Sequence, residues 1–256
     1  MIYKNQINLV SIILPTYNEA ENIVPLIKEI KKSVKIRYEI IIVDDNSPDQ
    51  TSKIVLAFIK KSRAKNIRLK TRLSNRGLTN SIREGIDLSK GNVVVWMDCD
   101  FSMPPFVINK LLEKIEEGYD ISVGSRFVKG GRFKKAEKGK KDSLLAIILS
   151  RMMNYIIQFI LGNNFKDYTS GFIAARKSVF NKVHLRGDYG EYFIDLIHRS
   201  FAYKFKIIEV PYICLPRSKG ESKTGSNLWQ YLKRGAKYIV LTLRLLYEQY
   251  ILKEIP

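Results

Sequence analysis

One pattern repeats through the first half of this chain. A short apolar run rich in β-branched residues is followed by a polar or acidic turn, then by apolar residues at helical spacing. The runs are Leu9 to Leu14, Glu39 to Val43, a weaker one from Ile67 to Lys70, Val93 to Met97, and Asp120 to Val123. Pro15 ends the first, and Asn18-Glu19-Ala20-Glu21 opens a helix in which Ile23, Leu26, Ile27 and Ile30 share a face. Further helices are predicted from about Thr51 to Lys61, from Gly77 to about Ser89, and from about Pro105 to Glu116. Strands and helices alternating about every 25 to 30 residues predict βαβ units in a mostly parallel sheet. Right-handed crossovers then place helices on both faces, giving an α/β three-layer sandwich of Rossmann-like type.

After Gly124 the character changes. Residues 126 to 142 hold eight Lys or Arg against two acids, with Gly130-Gly131 among them, and read as a mobile basic loop. Ser143 to Gly162 is a strongly apolar helix, Asp167-Tyr168-Thr169-Ser170-Gly171 a turn, and Phe172 to Ala175 a short strand. A helix from Asp188 to Tyr203, a strand from Ile207 to Val210 and a loop from Pro211 to Gly225 follow. A long helix from Asn227 to Leu252 closes the chain. The expected organisation is one domain over 1–225, containing the basic loop and apolar helix of 126–162, and a helical appendage over 226–256.

The charge balance narrows the partners. Lys and Arg number 44 against 25 acids, a formal net charge of +19, which suits a phosphate-rich partner. Nucleic acid is disfavoured, because the basic residues lack aromatic interleaving and no groove-reading motif occurs. The two cysteines, Cys99 and Cys214, have no metal-ligand spacing, so a reduced intracellular setting is expected. Nothing at the start reads as a signal peptide. No uncharged apolar run reaches the roughly 18 residues of a membrane span. The nearest, Leu144 to Leu161, is broken by Arg151, Asn154 and Gln158. A soluble or membrane-peripheral protein is expected, with any spanning part on another chain.

Acids cluster where the strands end. Glu19 follows the first run, Asp44-Asp45 the second, and Asp98-Cys99-Asp100 the fourth. The carboxyl ends of parallel strands share one edge, so these acids are expected to share a crevice. Carboxylates there can grip the edges of a base and the hydroxyls of a ribose. Asp98 and Asp100 can hold a hard divalent cation across a diphosphate. The alternative reading makes Glu19, Asp45 and Asp49 helix caps. No dinucleotide fingerprint, P-loop, His-Glu-x-x-His or Gly-x-Ser-x-Gly elbow competes.

Seven segments in order carry a resemblance. They are Leu14-Pro15-Thr16-Tyr17-Asn18-Glu19, Val43-Asp44-Asp45-Asn46-Ser47-Pro48-Asp49, Asn75-Arg76-Gly77-Leu78, Met97-Asp98-Cys99-Asp100, Gly124-Ser125-Arg126-Phe127, Asp167-Tyr168-Thr169-Ser170-Gly171-Phe172 and Gly220-Glu221-Ser222-Lys223. Over about residues 8 to 235 the chain resembles family 2 glycosyltransferases of the GT-A fold, and more narrowly the dolichyl-phosphate (polyprenyl-phosphate) mannose synthases. The resemblance implies transfer of mannose from GDP-mannose to a polyprenyl phosphate, with UDP-glucose or another UDP-sugar as the alternative donor. It implies that Pro15, Tyr17, Glu19, Val43 and Asp45 line the nucleotide pocket. Asp98 and Asp100 would bind Mg2+ or Mn2+, with Ser102 where some relatives have Gln as a third ligand. Arg126, with Arg132 as the second cation, would meet the donor phosphates or the acceptor, and Ser125 would join them at the acceptor phosphate. Arg217 and Lys223 would close over the donor diphosphate, and Asp167 and Tyr168 would either contact the sugar or form a structural turn.

Such a reaction needs no general base, because a phosphate monoester is largely dianionic at neutral pH. The basic loop beside an apolar helix suits an anionic membrane surface, and the last helix, with Leu241, Leu245, Leu246 and Tyr250 opposite Lys237 and Arg244, is a second candidate. The expected location is the cytoplasmic face of a membrane, held peripherally or beside a spanning partner subunit.

Overall fold

The computed structural model describes residues 6–134, 144–162, 164–188, 190–219, 228–253 and 255. Its first half is the expected alternation: β1 Val10–Thr16, α1 Ile23–Ser33, β2 Tyr38–Asp44, α2 Thr51–Ser62, β3 Ile67–Thr71, α3 Leu78–Leu88, β4 Val93–Trp96, α4 Val107–Glu116 and β5 Ile121–Ser125. Then come β6 Arg132–Phe133, α5 Leu144–Leu161, β7 Ile173–Arg176, α6 Glu191–Ala202, β8 Ile207–Pro211, β9 Ile213–Cys214 and α7 Leu228–Tyr250.

Seven strands form one sheet in the order β3-β2-β1-β4-β7-β5-β8. Its β1, β2, β3 and β4 are mutually parallel, and β5 is parallel to β8. Side chains of β1 alternate between two cores, as a strand covered on both faces must. Val10, Ile12 and Leu14 pack with Leu26, Ile27 and Ile30 of α1 and Leu111 of α4. Ile13 faces the other way, with Ile82 and Ile86 of α3 and Trp96 of β4. Burying each of these aliphatic side chains is worth about 1.5–3 kcal/mol. A Cβ on Gly85 would come within 2.3 Å of Ile13 Cγ2, so a side-chain-free position lets α3 lie close on the sheet.

The sheet departs from the simple parallel expectation at β7, which is antiparallel to both β4 and β5. The chain leaves β5 at its carboxyl end, passes through β6 and α5, and returns to the same edge, where Val123 lies opposite Ile173. A strand re-entering from that edge must run backwards. The predicted loops at 126–142 and 211–225 each contribute a short strand as well, since β6 pairs in parallel with β9. Helices α1, α4 and α6 begin a few residues later than the sequence pattern suggests, at Ile23, Val107 and Glu191. The last helix, α7, lies against α5 and α6. A buried seam holds it: Arg199 pairs with Asp195 at 2.9 Å and with Glu248, and Arg244 reaches Glu248 at 2.7 Å.

At the amino edge of the sheet, buried Glu39 accepts from Ser11 Oγ, Lys90 N and Arg68 Nη2, each at 2.7 Å. Burial pushes this carboxyl up, but those donors outweigh it and hold it below its ordinary value. Its stabilisation is therefore complete above the ordinary carboxylate pKa and lost as pH falls through the depressed one. Glu39→Gln is expected to cost about 1–3 kcal/mol in urea unfolding at pH 7. The gap to the unaltered protein should begin to narrow as pH falls below about 4 and close only once the depressed carboxyl is protonated.

Candidate active site

The strand order reverses between β1 and β4, the position where open α/β sheets bind ligands. A crevice of about 320 Å³ opens there. It is lined by Pro15, Thr16, Tyr17 and Glu19 after β1, Asp45 after β2, Arg76, Gly77, Leu78 and Ser81 after β3, and Asp98, Cys99, Asp100 and Arg217. Asparagines turn the chain at three of these strand ends: Asn18 (φ 55), Asn46 (φ 55) and Asn75 (φ 50). Asn tolerates this left-handed conformation better than other L-residues.

Each carboxylate on this edge has a distinct task. Asp44, fully buried, accepts from Ser52 Oγ at 2.6 Å and from Ser47 N and Oγ, and so builds its own loop. Asp45 faces the crevice, yet both of its oxygens are engaged. Oδ1 accepts from Arg72 Nη1 at 2.7 Å and Ser81 Oγ at 2.8 Å, and Oδ2 from Gly77 N at 2.7 Å. Arg72 also donates to the Asn75 carbonyl. Together the pair clamps the loop that forms one wall. Arg72 carries no motif, and the sequence reading did not single it out.

Asp98 is exposed and Asp100 buried, and both line the crevice. Asp100 Oδ1 accepts from Ser102 N at 2.8 Å, and Oδ2 takes Arg217 Nη2 at 2.8 Å. The Arg217 segment is tied to the Asp100 turn by backbone bonds, Leu215 N to Ser102 O and Ser218 N to Asp100 O, both 2.9 Å. Arg217 Nη1 also approaches Glu19 Oε1 at 4.0 Å. Phe101 sits at φ 66, a strained conformation for a bulky residue, within this turn. Among the described residues no cluster of three or more His, Cys, Asp or Glu is placed to hold a metal by itself. Two hard carboxylates facing a crevice do fit Mg2+ or Mn2+, which commonly binds through one or two carboxylates plus substrate phosphates.

A second polar cluster adjoins the first. Fully buried Asp167 receives Arg126 N, Nε and Nη2 at 2.8, 2.9 and 2.6 Å, and Arg126 Nη2 also reaches Thr169 Oγ1 at 2.8 Å. Burial pulls the guanidinium pKa down, but Asp167 outweighs it and holds it above the usual arginine value. Glu209 steadies the turn by accepting from Lys166 N and Asp167 N at 2.8 and 3.0 Å. Burial nonetheless leaves Glu209 above the ordinary carboxylate range. The Cys214 thiol is pushed up to about 11 by burial, against the pull of Arg126, so it stays protonated and offers no nucleophile at neutral pH.

The predicted residues thus divide. Pro15, Tyr17, Glu19, Asp45, Asp98, Asp100 and Arg217 share the crevice. Val43 does not: its side chain is fully buried with Ile41, Ile82 and Ile86, because it points to the α3 face of the sheet. Ser125 and Tyr168 are fully buried, and Arg126 pairs with the equally buried Asp167. Ser102 meets Asp100 through its backbone, and Arg132 is exposed on β6. Lys223 lies outside the described residues, as do Lys135, Lys138, Lys140 and Lys141 of the basic loop.

The glycosyl transferase family 2 pattern matches residues 11–184, from β1 through β7, and so includes Asp98, Asp100, Arg126 and Asp167 but not Arg217. The chain belongs to that family. It is 37% identical over 228 residues to the dolichol-phosphate mannosyltransferase of Pyrococcus furiosus, a match covering 88% of this chain and 62% of that one. The chain therefore spans under two thirds of that relative's length. It is 34% identical over 236 residues to the polyprenol monophosphomannose synthase of Mycolicibacterium smegmatis, covering 89% of this chain and 85% of the other. A third relative is the undecaprenyl-phosphate 4-deoxy-4-formamido-L-arabinose transferase of Edwardsiella ictaluri, 31% identical over 224 residues, covering 86% and 64%. Among solved structures, glucosyl-3-phosphoglycerate synthase of Mycobacterium tuberculosis in complex with Mn2+, UDP and glucosyl-3-phosphoglycerate superposes with a TM-score of 0.68. At 18% identity, covering 93% of this chain and 79% of that one, it shares the GT-A fold.

Arg126 rests on a carboxylate with no exposure, so neutralising that partner strands a charge in the interior. Asp167→Asn is expected to lower the unfolding free energy by about 3–5 kcal/mol, read by urea titration at pH 7.

Proposed function

We propose that this protein is a membrane-peripheral, inverting glycosyltransferase that moves mannose from GDP-mannose to a polyprenyl phosphate. The observation that carries this reading is the convergence of Asp98, Asp100 and Arg217 on a crevice at the switch point of a family 2 fold. All three relatives have a polyprenyl-type phosphate or its glycosylated product in their names, whereas the sugar differs among them. The lipid phosphate is therefore the better supported substrate, and mannose follows from two of the three.

In the proposed reaction the diphosphate lies between the aspartates and Arg217. Asp98 and Asp100 would hold a divalent cation, which supplies Lewis-acid stabilisation of the departing diphosphate. Arg217 already stands against Asp100, so a diphosphate drawn to this end of the crevice meets a guanidinium on arrival. The Arg72–Asp45 clamp keeps the Asn75–Leu78 wall in place around the nucleoside. An acceptor phosphate oxygen attacks the anomeric carbon. The bond from that carbon to the donor's β-phosphate oxygen breaks, and the nucleoside diphosphate leaves with the electron pair. The acceptor, being dianionic, gives up no proton. His184 and His198 do not line the crevice.

Peripheral attachment is supported by two apolar stripes. On α5, Ile148, Met152, Tyr155 and Phe159 are exposed, and on α7, Val240, Leu243, Tyr247 and Tyr250; of the face expected from the sequence, Leu245 is instead buried and Leu241 packs on the core, leaving Tyr250 exposed. Among the described residues no helix is long and apolar enough to cross a membrane.

Asp100→Ala is expected to cut sugar transfer by about a thousandfold or more with unchanged circular dichroism. Arg217, a quarter exposed, can turn to water when its partner goes. Full transfer by that variant would refute the aspartate role. Thermal shift with Mn2+ is expected to rank GDP-mannose above UDP-glucose and UDP-GlcNAc. For the membrane face, Phe159→Glu combined with Tyr250→Glu is expected to reduce co-sedimentation with anionic vesicles about tenfold without altering unfolding, since both side chains are solvent-facing.

A further inference from the structure

Between α6 and α7, neither of which lines the crevice, a second set of charged groups is shut away from water. Asp195, His198 and Arg199 of α6 are buried there, as is Glu248 of α7. Arginines crowd Glu248 from three directions: Arg199 Nη2 from α6, Arg244 Nε from one turn earlier on α7 at 2.7 Å, and Arg186 Nη1 from the loop before α6 at 3.5 Å. Arg199 Nε also donates to Asp195 Oδ1 at 2.9 Å. Three arginines thus share two carboxylates. Arg186 and Arg244 are more than half exposed and can be hydrated, whereas Arg199 is buried with both acids.

His198 sits within this seam. On α6 it is next to Arg199 and three residues from Asp195, and across the seam it is hydrogen-bonded to Gln249, the neighbour of Glu248. Among the described residues its Nε2 has no hydrogen-bond partner, and neither has Asp195 Oδ2. Burial, and then Arg199, hold the imidazole below its ordinary value, with Gln249 and Glu248 opposing, so the ring is neutral at pH 7. An imidazolium would add a further positive charge beside Arg199 in a space with little water. Moving α7 away would return that charge to solvent. α7 packs directly on α6, with Leu245 buried on its inner side and Val240, Leu243, Tyr247 and Tyr250 on its outer side.

We propose that the α6–α7 seam is a proton-operated latch. A proton taken up at His198 loosens α7 from α6, uncovers the Leu245 side of the helix, and strengthens its grip on an anionic membrane surface, where protons are themselves concentrated. The inference goes beyond the proposed reaction and rests on the peripheral attachment read from the apolar stripes. Linkage fixes the direction. The docked ring is held below the ordinary 6.5, so the undocked state binds the proton more readily, and docking weakens as pH falls through that range. Asp195 works in the opposite sense from the carboxylate end of the scale, because burial raises it from 3.8 against the pull of Arg199. The window from about pH 7.5 to 5.5 is therefore governed by histidine.

The test reads amide hydrogen exchange of α7 at pH 7.5 and 5.5, each corrected for the intrinsic exchange rate, beside co-sedimentation with anionic vesicles. In the unaltered protein α7 is expected to exchange about threefold or more faster at pH 5.5 with β1 and β2 unchanged, and vesicle binding to rise about twofold. His198→Gln keeps a polar side chain that cannot charge and should abolish both responses. His184→Gln, at the chain's only other histidine, should retain them. Should His198→Gln disturb the packing, Gln249→Leu serves instead: it removes a hydrogen bond that favours the charged ring in the docked state and should enlarge the exchange ratio. A response that survives His198→Gln, a ratio that Gln249→Leu does not enlarge, or no response in the unaltered protein would overturn the latch and leave the transferase and its peripheral attachment standing. Failure of the unaltered protein to bind anionic vesicles at either pH would overturn the attachment, and with it the membrane half of the proposal.

Discussion

Three aspartates at one edge of the sheet each rest against an arginine, and the site depends on those pairs. Asp45 meets Arg72 at 2.7 Å, Asp100 meets Arg217 at 2.8 Å, and Asp167 meets Arg126 at 2.6 Å. Parallel strands bring their carboxyl ends to the same edge, so acids placed there accumulate like charge in a partly desolvated space. Each arginine removes that cost locally. The pairs differ in exposure, and the difference sorts their tasks. Arg72 is 7% and Arg126 12% exposed, which fits holding walls in place, whereas Arg217 is 24% exposed and borders the crevice. A pair that a ligand can reach is one a ligand can rearrange.

The antiparallel strand β7 links this chemistry to the outer helices. Because the chain leaves β5 and enters β7 at the same edge, β6 and α5 belong to an excursion from the carboxyl edge of the sheet, the edge on which the crevice opens. That excursion carries Arg126 at its start, Asp167 at its end and an apolar helix between. The β6–β9 pairing then ties it to the segment bearing Arg217. The bonds from Leu215 and Ser218 to the Asp100 turn complete the connection. The Asp100–Arg217 pair and the Arg126–Asp167 pair are thus linked by backbone bonds running through β6 and β9. The α6–α7 ion-pair seam fixes the last helix against α6, and α7 also lies beside α5, placing a second apolar stripe near the first.

The sequence by itself determined the layered architecture and the residues that reach its working edge. Alternating apolar runs and helical spacing are local properties, set by which faces must leave water, and so β1 to β5 and their helices were legible from Leu9 onward. The strand-end acids were legible for the same reason, and Asn18, Asn46 and Asn75 mark the turns that present them. Tertiary structure alone decided which acid does what. Asp44 and Asp45 are neighbours of the same type, yet one is consumed by its own loop and the other clamps a loop 32 residues away, at Gly77. Val43 looked like a pocket residue by motif, but strand alternation turns it into the core. Arg72 and Arg126 are two arginines among many in a chain of net charge +19, and only the distances to Asp45 and Asp167 distinguish them. The physical reason is that charge pairing in a folded protein depends on through-space distance and desolvation, and neither is set by the order of residues until the sheet has closed.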